Sequence, residues 1–234
     1  MLTPKEVNAK LGRLQTKYAA RDQRMRDVLS VRQGDLSKVY PSMFSDEYPK
    51  PLVANFIDVA ARDLAEAMAP LPSFNCQATN MVSDTARKAA DMRTRIANFY
   101  VSVAEMQLQM YQGADWYNTY GMMVGMVEMD YDSNNPRMRL LNPWGCYPEV
   151  DRFGRVVSMT QVLNTDAETL VSKYPEFADA ILKKNNYQVG SPSITMVRYH
   201  DAEQDLIYLP ERQNLTLVRT PNPIGKCLVR VAQR

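Results

Sequence analysis

The residue types able to carry chemistry are few and scattered. Cys146 stands in MRLLNPWGCYPEVDRFGRVV, residues 138 to 157, with Glu149 and Asp151 shortly after it. A nucleophilic thiolate is therefore the first reaction to weigh. Such a thiolate needs a cation or base close by, and neither lysine nor arginine adjoins Cys146 in the sequence. The same stretch reads better as a rigid corner. Pro143 and Pro148 fix backbone angles, Gly145 and Gly154 permit turns, and Trp144, Tyr147 and Phe153 supply apolar bulk. His200 is the single histidine, so any histidine triad or proton relay must use it. It lies in MVRYHDAE, where a strand enters a polar turn, and this predicts an exposed strand-end side chain. One histidine also excludes the histidine-containing zinc patterns. Glu128, Asp130 and Asp132 alternate along a proposed strand. They line one face, either as oxygen ligands for a hard cation or as a solvated face opposite Met129 and Tyr131.

Glycine-rich phosphate loops, dinucleotide fingerprints and nucleophile elbows are all missing from the sequence. The expectation is a chain with no catalytic residue, no metal and no cofactor. Its 234 residues, 45% hydrophobic and 23% charged, suffice for one large domain or two small ones with a real core. Three widely spaced cysteines, Cys76, Cys146 and Cys227, suggest neither a disulfide framework nor a zinc site and fit a reducing cytosol. The start, MLTPKEVNAK, lacks a signal-peptide stretch, and no window approaches the ~18 apolar residues of a membrane span. A net charge of +2 is too weak to mark a nucleic-acid binder by bulk electrostatics.

The elements that must position these residues follow from periodicity. Thr3-Pro4-Lys5-Glu6 reads as a capping box, so a helix begins at Pro4 and runs towards Gly34. Val7, Leu11, Leu14, Tyr18, Met25 and Val28 form its apolar seam, interrupted by Arg21. Between them stand Lys5, Lys10, Arg13, Lys17, Arg21, Arg24, Arg26 and Arg32, the most basic stretch of the chain. Arg13, Lys17, Arg21 and Arg24 are the candidate DNA-binding face, against a solvated face or a subunit contact. A second helix from Pro51, ended by Pro70 and Pro72, turns Leu52, Phe56, Ile57, Ala60, Leu64 and Met68 to a core. A third starts at the Ser83 cap and runs to about Gln112, where Gly113 breaks it.

From Gly121 the period becomes two. Val124, Met126, Val127, Met129 and Tyr131 give a strand, Asn134-Asn135-Pro136 a turn, and Met138 to Leu141 the hairpin's return. Met122, Met123, Met126 and Met129 suit interior packing, a subunit contact or an adaptable binding surface. Phe153-Gly154 turns the chain into Val156 to Val162. Thr165-Asp166-Ala167-Glu168 then reads as a second capping box, opening a helical insert near 165–184 with Leu170, Val171, Tyr174 and Phe177. A meander of four strands follows, at 194–199, 206–209, 215–218 and 228–231. The fold class is α+β, with a mainly helical 1–120 and a β-rich 121–234.

The order of these elements resembles the N-terminal half of portal proteins of long-tailed bacteriophages, the head-to-tail connectors of siphophage type. The likeness is carried by YPKPLVANFIDVAARDLAEAMAPLPSF, by WYNTYGMMVGMVEMD closing a long helix, and by RLLNPWGCYPEVDRFGRVVSMTQV. Asn142-Pro143, Tyr147-Pro148, Asp151, Gly154 and Val156 occupy the family's corner positions. Asn222-Pro223-Ile224-Gly225 with Leu228-Val229 matches a later segment. The resemblance implies a protein that is not an enzyme but a ring, usually of twelve subunits, at one capsid vertex of the virion. Through it the terminase large subunit drives double-stranded DNA during packaging, and DNA leaves through it on ejection. It joins the major capsid protein to head-completion and adaptor proteins. Portals commonly run to twice this length, so the resemblance implies the wing part, with stem, clip and crown elsewhere, and no DNA-contacting channel residue is carried over. The rival readings are a nucleic-acid-binding protein using the basic first helix, another virion structural protein, and an enzyme with a metal at Glu128, Asp130 and Asp132.

Overall fold

Thr3 and Glu6 cap the first helix reciprocally. The Thr3 backbone N–H donates to Glu6 Oε2 at 2.7 Å and the Glu6 N–H donates to Thr3 Oγ1 at 3.4 Å, satisfying donors that a helix start leaves open. This helix, α1, spans Pro4–Arg32. The computed structural model describes residues 1–35, 56–71, 73–130, 135–182 and 193–233, without the side chains of residues 129 and 130. The expected start at Pro51, with Leu52, Pro72, Tyr131, Asp132 and Asn134, lies outside these. Three further long helices follow, α2 Phe56–Met68, α3 Asp84–Val103 and α4 Met106–Tyr120. The strands are β1 Met122–Asp130, β2 Asn135–Leu141, β3 Cys146–Val150, β4 Val156–Asp166, β5 Ser193–Asp201, β6 Gln204–Leu209, β7 Leu215–Pro221 and β8 Val229–Gln233. Two short helices, α5 Ala167–Lys173 and α6 Ala178–Leu182, interrupt them after β4. The class is α+β. Among the described residues no helix is long and apolar enough to cross a membrane.

Two compact units form: Met1–Asp22 with Trp144–Arg230, and Gln23–Pro143 with Val231–Arg234. The helical and β-rich halves expected along the chain describe its composition, while the compact units cut across the expected boundary at residue 120. In the first unit β3-β4-β5-β6-β7 form one antiparallel sheet in that order. Alternation along β5 and β6 divides its two faces. Val197, Tyr199, Leu206 and Tyr208 point to α1 and meet Val7, Leu11, Leu14 and Tyr147. Ile194 and Leu209 point the other way and meet Leu170, Tyr174 and Ile181 of the helical insert, with Leu217 completing that cluster. The register pairs Val197 with Tyr208 and Tyr199 with Leu206, so aromatic and aliphatic side chains stack across strands beneath α1. The helical insert starts differently from expectation. Thr165 remains in β4, Asp166 holds the cap position and makes no side-chain cap bond.

In the second unit β1 lies between β2 and β8. The hairpin register runs from Val124 opposite Leu141 to Asp130 opposite Asn135. The last strand thus leaves the expected meander and joins the other sheet. Ser83 caps α3 as expected, its hydroxyl accepting from the Ala86 N–H at 3.3 Å. The break after this helix falls earlier than Gly113, at Ala104-Glu105, where Glu105 takes a left-handed φ of 50°. Gln109 secures it. Its Nε2 donates to the Ala104 carbonyl at 2.6 Å and to Met138 O at 3.2 Å, and its Oε1 accepts from Leu140 N at 2.7 Å. One amide thereby binds the helix break and the free edge of β2. Gly113 is buried inside α4 and has a packing reason: a Cβ there would lie 2.5 Å from Leu140 Cδ1 and 2.8 Å from Met123 Sδ.

The apolar side of α2 does not form the expected core. Phe56, Ile57, Leu64 and Met68 are exposed, and the buried position of that helix is Ala65. On α3 the stripe Met92, Ile96, Phe99 and Val103, at spacings that share one helix face, is also exposed while Ala90 is buried. These helices pack through small residues and leave their large ones outside.

Candidate functional site

The corner at Cys146 is built around Gly145. Gly145 has φ of 72°, and a Cβ there would run into the Val162 carbonyl oxygen, which stands over the glycine as Val162 N donates to Gly145 O at 2.9 Å. Only glycine serves where a left-handed φ and a backbone approach coincide. Arg21 closes the corner from α1. Its Nη1 donates to the Cys146 carbonyl at 2.9 Å and its Nη2 to Asp22 Oδ1 at 2.7 Å. The guanidinium lies 4.4 Å from the Tyr18 ring centroid and 5.3 Å from that of Tyr147. The Tyr147 hydroxyl donates to Asp22 Oδ2 at 3.0 Å, and that of Tyr18 to the Pro148 carbonyl at 2.8 Å.

This geometry suppresses thiol chemistry. Cys146 is wholly buried, and burial pushes its pKa up to about 12 despite the opposing charge of Arg21. The group stays a protonated thiol at neutral pH, a small hydrophobe in the core. Glu149 is engaged elsewhere. Burial alone would raise its pKa, but Lys10 Nζ at 2.6 Å and the Ser158 hydroxyl at 3.0 Å override that and hold it below the ordinary carboxylate value. Asp151 builds the next turn, its Oδ1 accepting from Phe153 N at 2.8 Å and Arg155 N at 2.9 Å.

His200 is buried, contrary to the expected exposed strand end. Its Nε2 accepts from the Leu228 N–H at 3.2 Å, so the ring ties the chain leading into β8 to β5. That bond spans 28 positions and no local pattern announces it. Glu128 pairs with Arg139 at 3.4 Å and faces Arg137 in the hairpin register, which places cations where a bound metal would require carboxylates. The side chains of Asp130 and Asp132 lie outside the described ones. Among the described residues no group of three His, Cys, Asp or Glu side chains could hold a metal. Met122 and Met126 are buried, which assigns them to interior packing.

The basic face divides. Arg13, Lys17 and Arg24 are exposed, whereas Arg21 is only 10% exposed and bound as described, so it does not belong to a DNA-binding surface. Two other cations of α1 are also committed. Lys10 pairs with Glu149, and Arg32 bridges Asp58 at 2.5 Å and Asp115 at 2.7 Å. Arg32 Nη1 also donates to Thr119 Oγ1 at 2.5 Å. This second-unit node escaped the sequence reading because its members come from three separate helices.

The arrangement with most capacity to act is therefore a surface. Met92, Ile96, Phe99 and Val103 of α3, with Phe56, Ile57, Leu64 and Met68 of α2, expose large apolar side chains on one unit. Large apolar side chains exposed along one helix face, as on α3, are a mark of association. A scan against models of protein families finds no match, and a search among curated proteins finds none.

Proposed function

We propose that this chain is the wing part of a bacteriophage portal protein, a non-enzymatic subunit of a ring at the capsid vertex. The observation that carries the reading is the exposed apolar stripe Met92, Ile96, Phe99 and Val103 on α3; α2 also exposes large apolar side chains. A ring subunit needs such faces, because each copy must bury surface on its neighbours. The corner residues that carry the family resemblance support it too. Tyr147, which donates to Asp22, and Asp151, which accepts from Phe153 N and Arg155 N, each have a structural task there, as a joint within a scaffold requires. In this reading the ring binds the major capsid protein, the terminase large subunit and an adaptor, and passes double-stranded DNA through its channel within the virion.

The test is mass and shape in solution. Protein expressed from its whole reading frame is expected to form closed rings with a central hole in negative-stain images, and a strictly monomeric species at micromolar concentration would refute the proposal. The rival reading, a nucleic-acid binder using α1, predicts salt-sensitive DNA affinity in single chains. Commitment of Lys10, Arg21 and Arg32 to internal partners leaves it fewer cations.

A further inference from the structure

A cleft in the second unit is lined by Arg24, Met25 and Val28 of α1 and by Asn118, Thr119, Tyr120 and Gly121 at the end of α4. Its volume is about 250 Å³, below the ~300 Å³ where pockets for drug-sized ligands begin, so a small polar group suits it. Three observations give the cleft a chemical preference. Asn118 Nδ2 is buried without a hydrogen-bond partner, a donor whose desolvation is uncompensated. Arg24 is exposed and has no ion pair or hydrogen bond in the described structure. Thr119 Oγ1 already accepts from Arg32, so its hydroxyl proton is directed to another acceptor.

Asp27, three positions on along α1, accepts from Gln23 Nε2 at 2.8 Å and makes no ion pair with Arg24 among the described residues. Arg32 and Arg62 are matched by Asp58 and Asp115, since Arg62 Nη2 lies 2.8 Å from Asp58 Oδ2 and Arg32 bridges both carboxylates. That group is neutral as a whole. The cleft thus combines a fixed amide donor, a hydroxyl donor and a free guanidinium, with Met25 and Val28 as an apolar wall. This is the complement of a tetrahedral oxyanion, which accepts several hydrogen bonds and pairs with arginine.

We infer that this cleft binds a phosphate group, held by Arg24, Asn118 and Thr119. The phosphate can be free or part of a nucleic-acid backbone, and the site does not depend on whether the chain assembles into a ring. The test uses the full chain, with inorganic phosphate and a short single-stranded oligonucleotide as separate probes. Titration is followed by the NMR signal of the Asn118 side-chain amide and by thermal melting. Either probe is expected to move that amide signal and raise the melting temperature. Tighter binding of the oligonucleotide identifies a backbone phosphate, and an equal or weaker response identifies the free anion. Arg24→Gln should weaken binding about tenfold or more, while Arg93→Gln, on the exposed side of α3 and outside the cleft, should leave it roughly unchanged. Asn118→Leu should melt no lower than wild type without ligand, because it removes an unsatisfied buried donor, and should lose the phosphate response. An Asn118 amide signal unmoved by both probes, or equal losses from Arg24→Gln and Arg93→Gln, overturns the site.

Discussion

The two units close their interiors in opposite ways. The first uses large side chains, with Tyr199, Tyr208, Leu206 and Val197 at 1% exposure or less beneath Val7 and Leu11. The Tyr208 hydroxyl, buried with them, donates to Asn8 Oδ1 at 2.7 Å. The second buries chiefly small or flexible residues, Ala65, Ala90, Ala114, Met106 and Met122, and leaves Phe56, Phe99 and Met92 outside at 77%, 57% and 64% exposure. A sheet sandwiched between helices satisfies itself, because alternation gives it two covered faces. A helical layer that meets its neighbours through alanines brings backbones close and turns its hydrophobic bulk outward. The first unit reads as a scaffold and the second as its contact surface.

The sharpest way to break this contrast is thiol accessibility. With excess maleimide at pH 8, native protein should label at Cys76, which is partly exposed, and remain unlabelled at the buried Cys146 and Cys227, while denaturant should release all three. Rapid native labelling of Cys146 would show that the corner opens. The raised thiol pKa of Cys146, about 12, also sets a direction with pH. Its contribution to stability is complete below the unfolded thiol value near ~8.5 and is lost as pH rises from there towards the folded value. Cys146→Ala should remove that part of the alkaline loss in melting curves.

Next in size, Tyr208→Ala should destabilise the first unit by about 3–5 kcal/mol in denaturant titration, as truncation of a buried aromatic does. Tyr208→Phe, which sacrifices only the bond to Asn8, should cost about 1 kcal/mol. In the second unit Arg32→Ala takes the cation from Asp115, while Asp58 keeps its pair with Arg62. Because these carboxylates keep 20% and 17% exposure, the loss should fall below the full penalty of a buried unpaired charge, at about 2 kcal/mol. Gly113→Ala should cost only about 1 kcal/mol, since crowding against the flexible ends of Leu140 and Met123 is offset by better helix propensity. Adding Leu140→Val should recover stability. A Gly113→Ala protein more stable than wild type would contradict the close approach of α4 to the hairpin.

Local signals were legible in the sequence. The Thr3-Glu6 cap, the Ser83 cap, the β1–β2 hairpin and the turn at Phe153-Gly154 all arise from residues within a few positions of one another. The seam Val7, Leu11 and Leu14 was legible because the sheet beneath it demands one continuous apolar stripe. Properties set by distant partners were not. The interruption of that seam at Arg21 gave no hint that the guanidinium would bind the Cys146 carbonyl, and the polar turn after His200 concealed its bond to Leu228. The outward face of α2 was misread for a general reason. Periodicity reports that a face is apolar and is silent on whether the same chain or another covers it. At the candidate site, the inert reading of Cys146 rested on the absence of adjoining cations, whereas Arg21 does reach its carbonyl and burial is what suppresses the thiolate. The Arg24 and Asn118 cleft left no sequence trace, since its two walls are 94 positions apart, Arg24 to Asn118.

The central claim, that the exposed stripe of the second unit is an assembly surface, is tested most directly by native mass spectrometry of the full-length protein beside an Ile96→Asp, Phe99→Asp variant. Both positions are solvent-exposed, so the single chain should retain its fold and its near-ultraviolet circular dichroism, with stability within ~0.5 kcal/mol of wild type. The wild-type protein should form closed rings and the variant single folded chains. Rings of unchanged mass in the variant, or single chains in the wild type, would contradict the claim.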